Sequence, residues 1–390
     1  MQEMTHPEGR LTWSERKRVA PPEILKKVAA ETGICFNGQA PWDIQILDDR
    51  AYGLILTRGS LGFGEAYMDG LWECERLDQL FHRLLSFDVN RTLGGGTWLR
   101  LGAEVLRQRL FNLQSSPRAF QVGEQHYDIG NDVFQAMLDP TLSYSCAYWK
   151  EADDLAQAQL DKLNLVCRKL ELKPGEKLLD IGCGWGGLAR HAAEQYGVEV
   201  VGITVSKEQQ ALAREYCMGL PVRIELMDYR EITGSFDKAV SIGMFEHVGP
   251  KNYAAYFDTV RRVLKGEGLF LLHTIGSHSR STRTDAWIDR YIFPNGRIPA
   301  ARQITEALED RFLIEDWHNF GPDYERTLMA WWARFDQAWP GLEAKYGQRF
   351  YRMWKYYLMC SIGFFRSRQG QLWQLVLSQR QRPGIYRSVR

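Results

Sequence analysis

A glycine-rich segment is the most informative chemical feature of the sequence. Residues 178–187 read LLDIGCGWGG, follow a predicted strand and precede a predicted helix, which is the context of a nucleotide-binding loop. Gly182, Gly184 and Gly186 give a G-x-G-x-G spacing, and residues without a side chain let the backbone approach a ligand closely. Gly182, Gly184 and Gly187 also fit the dinucleotide spacing G-x-G-x-x-G. The glycines alone therefore predict a nucleotide cofactor without deciding which one.

The residues around the loop narrow the choice of cofactor. Asp180 precedes the glycines, and an acid there suits an ammonium or hydroxyl group better than a pyrophosphate. The resulting D-x-G-x-G-x-G pattern resembles the first motif of Rossmann-like S-adenosylmethionine methyltransferases. A second clue is MDY at 227–229, which closes the third predicted strand, where that fold contacts adenine. The second strand ends in the neutral groups of Thr204, Ser206 and Gln209 instead of the usual acid, so ribose recognition must be arranged differently.

A parallel sheet wrapped by helices is the arrangement that would present such a loop. Short apolar runs alternate with helical patterns from about residue 119 onward, which predicts a Rossmann-like α/β domain. The predicted strands are 177–181, 198–204, 222–227, 236–242 and 268–274, and the predicted helices between them are 188–196, 207–218 and 253–264. A further strand pair at 312–317 and 371–378 would complete the sheet.

Composition excludes several classes of protein. The chain has 390 residues, enough for two or three domains, with 45% apolar and 25% charged residues, as in globular proteins. Its 49 basic and 48 acidic residues give a net charge of +1, which disfavours a nucleic-acid partner. Seven scattered cysteines without a CxxC pair disfavour disulfides and structural zinc, so we expect no metal. The 12% of aromatic residues indicates a large apolar or cationic ligand.

Hydropathy predicts a cytoplasmic enzyme. No apolar run approaches the roughly 18 residues that a membrane-spanning helix requires. The polar first 18 residues contain no apolar signal core.

The N-terminal part predicts a smaller mixed or helical domain over residues 1–92. A helix is indicated from Pro21-Pro22 to Gly33, a short strand at 42–46 and another helix at 77–87. Residues 93–118 form a predicted linker with an amphipathic basic helix. The linker has four arginines and one acid, Glu104, and Arg91 precedes it. It is either an ordinary interdomain helix or one that also touches an anionic membrane surface. Residues 119–390 make up the predicted catalytic domain.

Several longer motifs carry a resemblance to a known family. They are SLGFGEAYMDGLWE (60–73), EQHYDIGNDVF (124–134), YSCAYW (144–149), LDIGCGWGG, VVGITVSKEQ, SIGMFEHVGPKNY (241–253), LFLLHTIG (269–276), YIFPNG (291–296) and EDWHNFGPDYERTL (315–328). In this order and spacing, the sequence resembles cyclopropane-fatty-acyl-phospholipid synthases and the related mycolic acid cyclopropane synthases. The resemblance covers most of the chain.

The resemblance implies methylene transfer from S-adenosylmethionine to the cis double bond of an acyl chain in a membrane phospholipid. Methyl transfer to an alkene leaves a carbocation, so a base must remove a proton before the ring can close. The resemblance implies that a bound bicarbonate is this base, held by Glu246, His273, Tyr324 and the backbone at Cys146 and Ile275. It also implies cofactor contacts by Tyr144, Ser145, Asp180, Gly182, Gly184, Thr204, Gln209, Tyr229 and Arg230.

The resemblance further implies how the protein meets its substrate. It makes a homodimer plausible, together with peripheral contact with the inner face of the membrane, where the unsaturated phospholipid lies. The family has a cysteine in a late helix that has been labelled catalytic, where this chain has Ser361, with Cys360 one residue earlier. No step of the chemistry needs a thiol, so neither residue is assigned a role.

Other functions stay open at this point. Taken singly, Cys146, His273, Glu246 and Tyr324 could be a buried apolar residue, a strand-end histidine, a helix cap and a packing residue. The alternative enzyme is an S-adenosylmethionine-dependent C-methyltransferase of another lipid or small molecule. A lipid-binding protein without activity and a nicotinamide oxidoreductase are further alternatives.

Overall fold

The computed structural model describes residues 19–87, 130–279 and 284–390. The predicted linker with its basic helix at 93–118 and the predicted domain boundary at residue 92 lie outside these ranges. So do residues 124–129 of the EQHYDIGNDVF motif.

The centre of the molecule is a seven-stranded sheet that presents the glycine-rich loop. Its strands are β3 (Lys177–Ile181), β4 (Glu199–Thr204), β5 (Val222–Leu226), β6 (Phe236–Ile242), β7 (Leu264–Ser277), β8 (Leu313–Asn319) and β9 (Gly370–Ser378). Their order is β5-β4-β3-β6-β7-β9-β8. The first five are parallel, whereas β9 runs antiparallel to β7 and to β8. The predicted Rossmann-like α/β domain is therefore confirmed.

Helices cover both faces of the sheet. The helices of this part of the chain are α4 (Asn131–Met137), α5 (Leu155–Lys169), α6 (Gly187–Tyr196), α7 (Lys207–Tyr216), α8 (Tyr253–Val263), α9 (Ala286–Tyr291) and α10 (Ala301–Leu308). Of these, α4 and α9 bury their apolar residues in a separate cluster that also contains N-terminal residues. Helices α5, α6 and α7 bury their apolar residues against one face, and α8 and α10 bury theirs against the other. Both faces of the parallel strands are thus buried, which is why these strands are continuous apolar runs in the sequence.

The described N-terminal residues form a small mixed unit, as predicted. Its elements are α1 (Glu23–Thr32), β1 (Gln45–Ile46), α2 (Arg50–Met68), β2 (Trp72–Glu73) and α3 (Leu77–Ser86). Gly33 ends α1 in the left-handed conformation, with φ 65°, which a glycine adopts without strain. Strands β1 and β2 pair antiparallel.

A long helical segment joins the two parts of the molecule. Helix α11 (Pro322–Arg366) changes direction at Gly347, whose φ of 73° and ψ of 163° are not helical. Phe81 of α3 contacts Tyr356 of α11 edge to face, with ring centroids 4.9 Å apart. Asp78 of α3 forms an ion pair with Arg366 at 2.8 Å, and Arg366 also binds Glu325 at 2.8 Å. These contacts fix the N-terminal unit against the helix that begins beside Tyr324.

Within the described ranges, no helix combines the length and the apolar composition that crossing a membrane would demand.

Candidate active site

The glycine-rich loop adopts the geometry that the sequence predicts. Gly182, Gly184 and Gly186 have φ angles of 81°, 54° and 85°, in the left-handed region that favours glycine. Gly187 begins α6 instead. The three left-handed positions therefore follow the G-x-G-x-G spacing, and the loop lies at the carboxyl end of β3, where ligands bind in open α/β sheets.

One cavity at this edge of the sheet contains the predicted cofactor residues. It is lined by Tyr144, Ser145, Asp180, Gly182, Gly184, Thr204, Gln209, Tyr229 and Arg230, together with residues that no motif singled out as ligands. The nine positions come from four separate regions of the sequence, and the structure brings all of them around one space.

Asp180 carries an unsatisfied buried oxygen in this cavity. The residue is 2% exposed, and its Oδ2 atom has no hydrogen-bond partner among the described residues. Burial raises the pKa of its carboxyl to about 7, and the nearby charge of Lys162 partly opposes this rise. An orphaned buried acceptor is costly unless a ligand supplies a donor. Asp180 is therefore suited to an ammonium or hydroxyl group of a cofactor.

Residues at and after the ends of β4 and β5 supply further polar groups to the same cavity. The Thr204 hydroxyl donates to Gln209 Oε1 at 2.8 Å, which leaves the amide NH2 as the group that Gln209 can offer to a ligand. Asp228 is buried and accepts from Arg230 at 2.8 Å, while the Arg230 guanidinium lies 4.6 Å from the centre of the Tyr229 ring. The ion pair with Asp228 holds the Arg230 guanidinium beside the Tyr229 ring.

Ser145 lies beside a buried lysine that the sequence analysis did not single out. Lys162 of α5 is 2% exposed, lines the cavity and donates from Nζ to Ser145 Oγ at 3.1 Å. Burial lowers the pKa of its ammonium group to about 8. The neighbouring Tyr144 hydroxyl hydrogen-bonds to the Tyr357 hydroxyl at 2.8 Å.

Glu246 and His273 form a second set of buried polar groups at the ends of β6 and β7. The Ile275 backbone N–H donates to Glu246 Oε1 at 2.7 Å, whereas Glu246 Oε2 has no partner among the described residues. Burial raises the pKa of Glu246 to about 7, so the carboxyl is partly protonated at neutral pH. The Ile275 N–H, which the resemblance assigned to the bicarbonate, thus donates to the Glu246 carboxyl in this structure.

The protonation of His273 is determined by its surroundings. Gln374 lies directly opposite on β9, and its Nε2 atom is 3.2 Å from His273 Nδ1, while Nε2 of the ring is buried without a partner in the described structure. Burial lowers the pKa of His273 well below its ordinary value, and the nearby cations Lys162 and Lys169 act in the same direction. The ring is therefore neutral, and donation from the Gln374 amide to Nδ1 places the ring proton on Nε2.

The remaining predicted residues lie in one apolar cluster next to these groups. Cys146, Ile275 and Tyr324 pack together with Phe320, which contacts the His273 ring edge to face at 5.9 Å. Tyr324 stacks on Phe365 with ring centroids 4.4 Å apart. Burial raises the pKa of the Cys146 thiol well above its ordinary value, and it also raises that of Cys360. Neither thiol is thus prepared to act as a nucleophile.

Some cavity residues were missed by reasoning from the sequence. Pro294 and Asn295 of YIFPNG and His247 of the FEHVG segment line the cofactor cavity. Burial lowers the pKa of His247 to about 4, so it is neutral. All three belong to motifs that the analysis quoted without giving these residues a role, and that membership was the available signal. Asp228 belongs to the quoted MDY segment in the same way, whereas Lys162 had no such signal.

Comparison with known proteins identifies relatives over nearly the whole chain. The family model described as mycolic acid cyclopropane synthetase matches residues 114–375. The chain is 53% identical over 356 residues to the cyclopropane-fatty-acyl-phospholipid synthase of Escherichia coli strain K12, which covers 91% of this chain and 93% of that protein.

Solved structures show the same likeness in the C-terminal part. The cyclopropane synthase MmaA2 from Mycobacterium tuberculosis matches with a TM-score of 0.64 and 33% identity, over 67% of this chain and 98% of that chain. The mycolic acid cyclopropane synthase CmaA1 complexed with SAH and CTAB matches with a TM-score of 0.63 and 33% identity, over the same shares.

Proposed function

Because the chain belongs to the mycolic acid cyclopropane synthetase family, we propose that it transfers a methylene group from S-adenosylmethionine to the cis double bond of an unsaturated acyl chain in a phospholipid. The observation that carries the proposal is the similarity to the Escherichia coli synthase, which extends through the N-terminal unit as well as the sheet. The cavity at the glycine loop supports it, since the nine residues expected to hold the cofactor surround one space.

The cavity residues fit S-adenosylmethionine. The left-handed glycines let the backbone approach closely, Asp180 offers an acceptor without a partner, and Gln209 offers its amide NH2. When bound, S-adenosylmethionine supplies an electrophilic methyl group. The chain must then hold the alkene in line with this group and exclude water, because an alkene is a weak nucleophile.

The aromatic residues near Tyr324 provide surroundings for the resulting cation. Tyr144 packs against Trp331 with ring centroids 5.2 Å apart, and Tyr324 packs edge to face against the same indole at 6.1 Å. Ring faces attract positive charge, and this attraction is stronger where water is excluded. These rings are therefore suited to stabilise a substrate cation without reacting with it.

Glu246 and His273 fit a small anion that accepts a proton. A protonated Glu246 Oε2 and the N–H at His273 Nε2 would both donate, and each is buried without a partner among the described residues. We propose that they hold a bicarbonate ion, with further contacts from Tyr324 and the Cys146 backbone, and that it supplies the base for ring closure. The Ile275 backbone would act through Glu246, whose carboxyl it holds. Two bare carboxylate-like anions would repel, so the proton on Glu246 is essential to the arrangement.

A product assay tests the proposed activity. The full chain is incubated with S-adenosylmethionine and vesicles of phospholipid with cis-unsaturated acyl chains. We expect the acyl chains to gain the mass of one CH2 group and the proton NMR spectrum to show shielded cyclopropyl protons. The same mass gain with a retained alkene signal and no cyclopropyl protons would favour the C-methyltransferase alternative, because loss of a proton elsewhere from the cation regenerates a double bond. An unchanged lipid would refute the proposed activity.

Removal of dissolved carbonate tests the proposed base. We expect turnover to fall in carbonate-free buffer and to recover when bicarbonate is added, with unchanged affinity for the cofactor. A turnover that does not change in carbonate-free buffer would show that the proton leaves to another acceptor.

We also propose that the protein contacts the inner face of the membrane peripherally and acts as a homodimer. A phospholipid substrate requires contact with a bilayer surface, and both properties follow from the family resemblance. Vesicle sedimentation and analytical ultracentrifugation test them separately. A protein that stays in the supernatant, or one that sediments as a monomer at micromolar concentration, would contradict the respective proposal.

A further inference from the structure

Lys162 is a buried cation without an ion-pair partner in the described part of the chain. Among the described residues, its only hydrogen bond is to the neutral Ser145 hydroxyl, and no carboxylate lies within ion-pair distance. An ammonium group has three donors, and burying it without a counter-charge costs several kcal/mol. The side chain nevertheless lines the cavity proposed for the cofactor.

A second lysine on the same helix shows what a compensated arrangement looks like. Lys169 lies two turns further along α5 and is also buried. Its Nζ atom is 3.2 Å from Asp316 and 3.2 Å from His318 Nδ1, so its partners all belong to the protein. Lys162 differs because, among the described residues, it has one neutral partner and no carboxylate partner, and its side chain lines a cavity.

The other charged groups near Lys162 and the cavity already have partners in the protein. Asp139, whose charge opposes the fall in the Lys162 pKa, accepts from the Thr141 and Ser143 N–H groups at 2.8 and 3.1 Å. Asp228 and Arg230 neutralise each other at 2.8 Å. Asp180 has a free Oδ2 and is close enough to Lys162 for each charge to affect the pKa of the other, although they form no ion pair. The cavity therefore offers one cation and one acid near each other, neither of them in an ion pair with another of the described residues.

S-adenosylmethionine carries the matching charges at one end. Its carboxylate and ammonium groups are bonded to the same carbon, whereas its adenine is neutral. We propose that Lys162 is a cofactor-binding residue whose ammonium group pairs with the carboxylate of S-adenosylmethionine, with Asp180 beside the cofactor ammonium. This inference rests on the proposed function, because it names the ligand of the same cavity.

A double-mutant cycle between the protein and the ligand tests the pairing. Isothermal titration calorimetry would measure binding of S-adenosylmethionine and of its decarboxylated form to the full chain and to Lys162→Met. We expect the substitution to weaken S-adenosylmethionine binding by about 10- to 150-fold, since a hydrogen bond to a charged group contributes about 1.5–3 kcal/mol. Binding of decarboxylated S-adenosylmethionine should change by less than about threefold, as expected for independent sites. An equal loss for both ligands, or no loss for either, would overturn the pairing.

Lys207→Met is the matched control. Lys207 begins α7 next to Ser206 and is exposed, so the substitution removes the same charge near the cavity without removing a buried contact. We expect it to leave the affinity for both ligands within about twofold, because exposed charges are screened by water and salt. If Lys207→Met weakened S-adenosylmethionine selectively by as much as Lys162→Met does, a general field would explain the effect and the pairing would be refuted.

A structural role for Lys162 gives a different result. Replacing a buried, uncompensated charge by an apolar residue of similar length is often neutral or stabilising, so we expect no fall in the thermal midpoint of Lys162→Met. Binding of 5′-methylthioadenosine, which lacks the charged end, should also persist. If Lys162→Met does not fold, Ser145→Ala in the same cycle replaces it, and equal effects on both ligands would again reject the arrangement. Failure of the unaltered protein to bind S-adenosylmethionine would instead refute the proposed function.

Discussion

Replacement of Glu246 by glutamine should change how the stability of the protein depends on pH. Glu246 is buried, and burial raises the pKa of its carboxyl to about 7 from 4.5. Because the folded protein then holds the proton more tightly than the unfolded chain, this contribution to stability is fully present below pH 4.5. It is lost as the pH rises through about 7.

The size of the effect follows from the two pKa values. The interval between 4.5 and about 7 corresponds to roughly 3 kcal/mol, at about 1.4 kcal/mol per pKa unit. The Glu246→Gln variant cannot ionise at this position. Relative to it, the unaltered protein should lose about 2–3 kcal/mol of unfolding free energy between about pH 5 and about pH 8. Asp180 has a raised pKa in both proteins, so its contribution cancels in the comparison.

Urea-induced unfolding at several pH values measures this difference. Equal m-values for the two proteins would show that the same surface is exposed in both, as the comparison requires. Glu267→Gln is the matched control, because it makes the same chemical change at an exposed position on the strand that carries His273 and removes no buried carboxyl. A difference between Glu246→Gln and the unaltered protein that stays constant with pH would mean that Glu246 ionises normally. It would then carry no proton to donate to an anion.

Three further substitutions test other parts of the site and the sheet. Gln374→Leu leaves His273 Nδ1 without a donor, so turnover should fall roughly tenfold to a hundredfold at unchanged cofactor affinity, since an orphaned buried acceptor costs about 1–3 kcal/mol; steady-state kinetics with calorimetry would check this, and an unchanged turnover number would contradict it. Gly276→Ala places a Cβ 2.1 Å from the Trp373 ring and should lower the free energy of unfolding by about 1–3 kcal/mol in urea titrations, whereas an unchanged midpoint would show that the ring moves freely. In the unaltered protein, the affinity for S-adenosylmethionine should rise by up to about tenfold per pH unit as the pH increases toward 7, because the cofactor ammonium requires the ionised Asp180. Asp180→Asn should abolish this pH dependence. Calorimetry at several pH values would detect it, and a slope retained in the variant would assign it to another group.

The parallel strands were predictable because burial on both faces leaves a direct record in the sequence. The strands at 177–181 and 236–242 agree with the structure residue for residue. Strand β7 is longer than predicted, since it continues from Leu264 to Ser277. Pairing with β9 extends through Ser277, and a pairing between distant segments has no local signal.

Helix α11 shows where local signals mislead. From the sequence, the late part of this helix, around Cys360 and Ser361, was expected, and this came from the family resemblance. Pro340 and Gly341 would ordinarily indicate a helix end, yet the helix continues through them and changes direction at Gly347. Stacking of Trp339 on Phe350, with ring centroids 6.4 Å apart, holds the two arms together across the bend. Tertiary packing therefore overrides the propensity of the proline here.

The cofactor residues were predictable from motifs, and the residues that tune their charge were not. Asp180 and the glycines belong to one contiguous motif, and the residue types in it indicate a cofactor site. Lys162 is one lysine in an ordinary helix, and only its burial and its position beside Ser145 reveal it. Gln374 lies 101 residues from His273 in the chain and meets it through antiparallel pairing. A residue such as Gln374, which hydrogen-bonds to a site residue from a distant strand, can be identified only from the folded structure.

The contact between the N-terminal unit and α11 has a consequence for how the chain can be divided. Apolar residues of both parts, among them Trp72, Phe81, Trp354 and Tyr356, belong to one continuous buried cluster. A fragment that begins after α3 would present this aromatic surface to water, and exposed apolar patches of that kind drive association. A protein of this fold that lacks the N-terminal unit must therefore have more polar residues on the face of the helix that corresponds to α11. We therefore expect the two parts to unfold together in a single thermal transition.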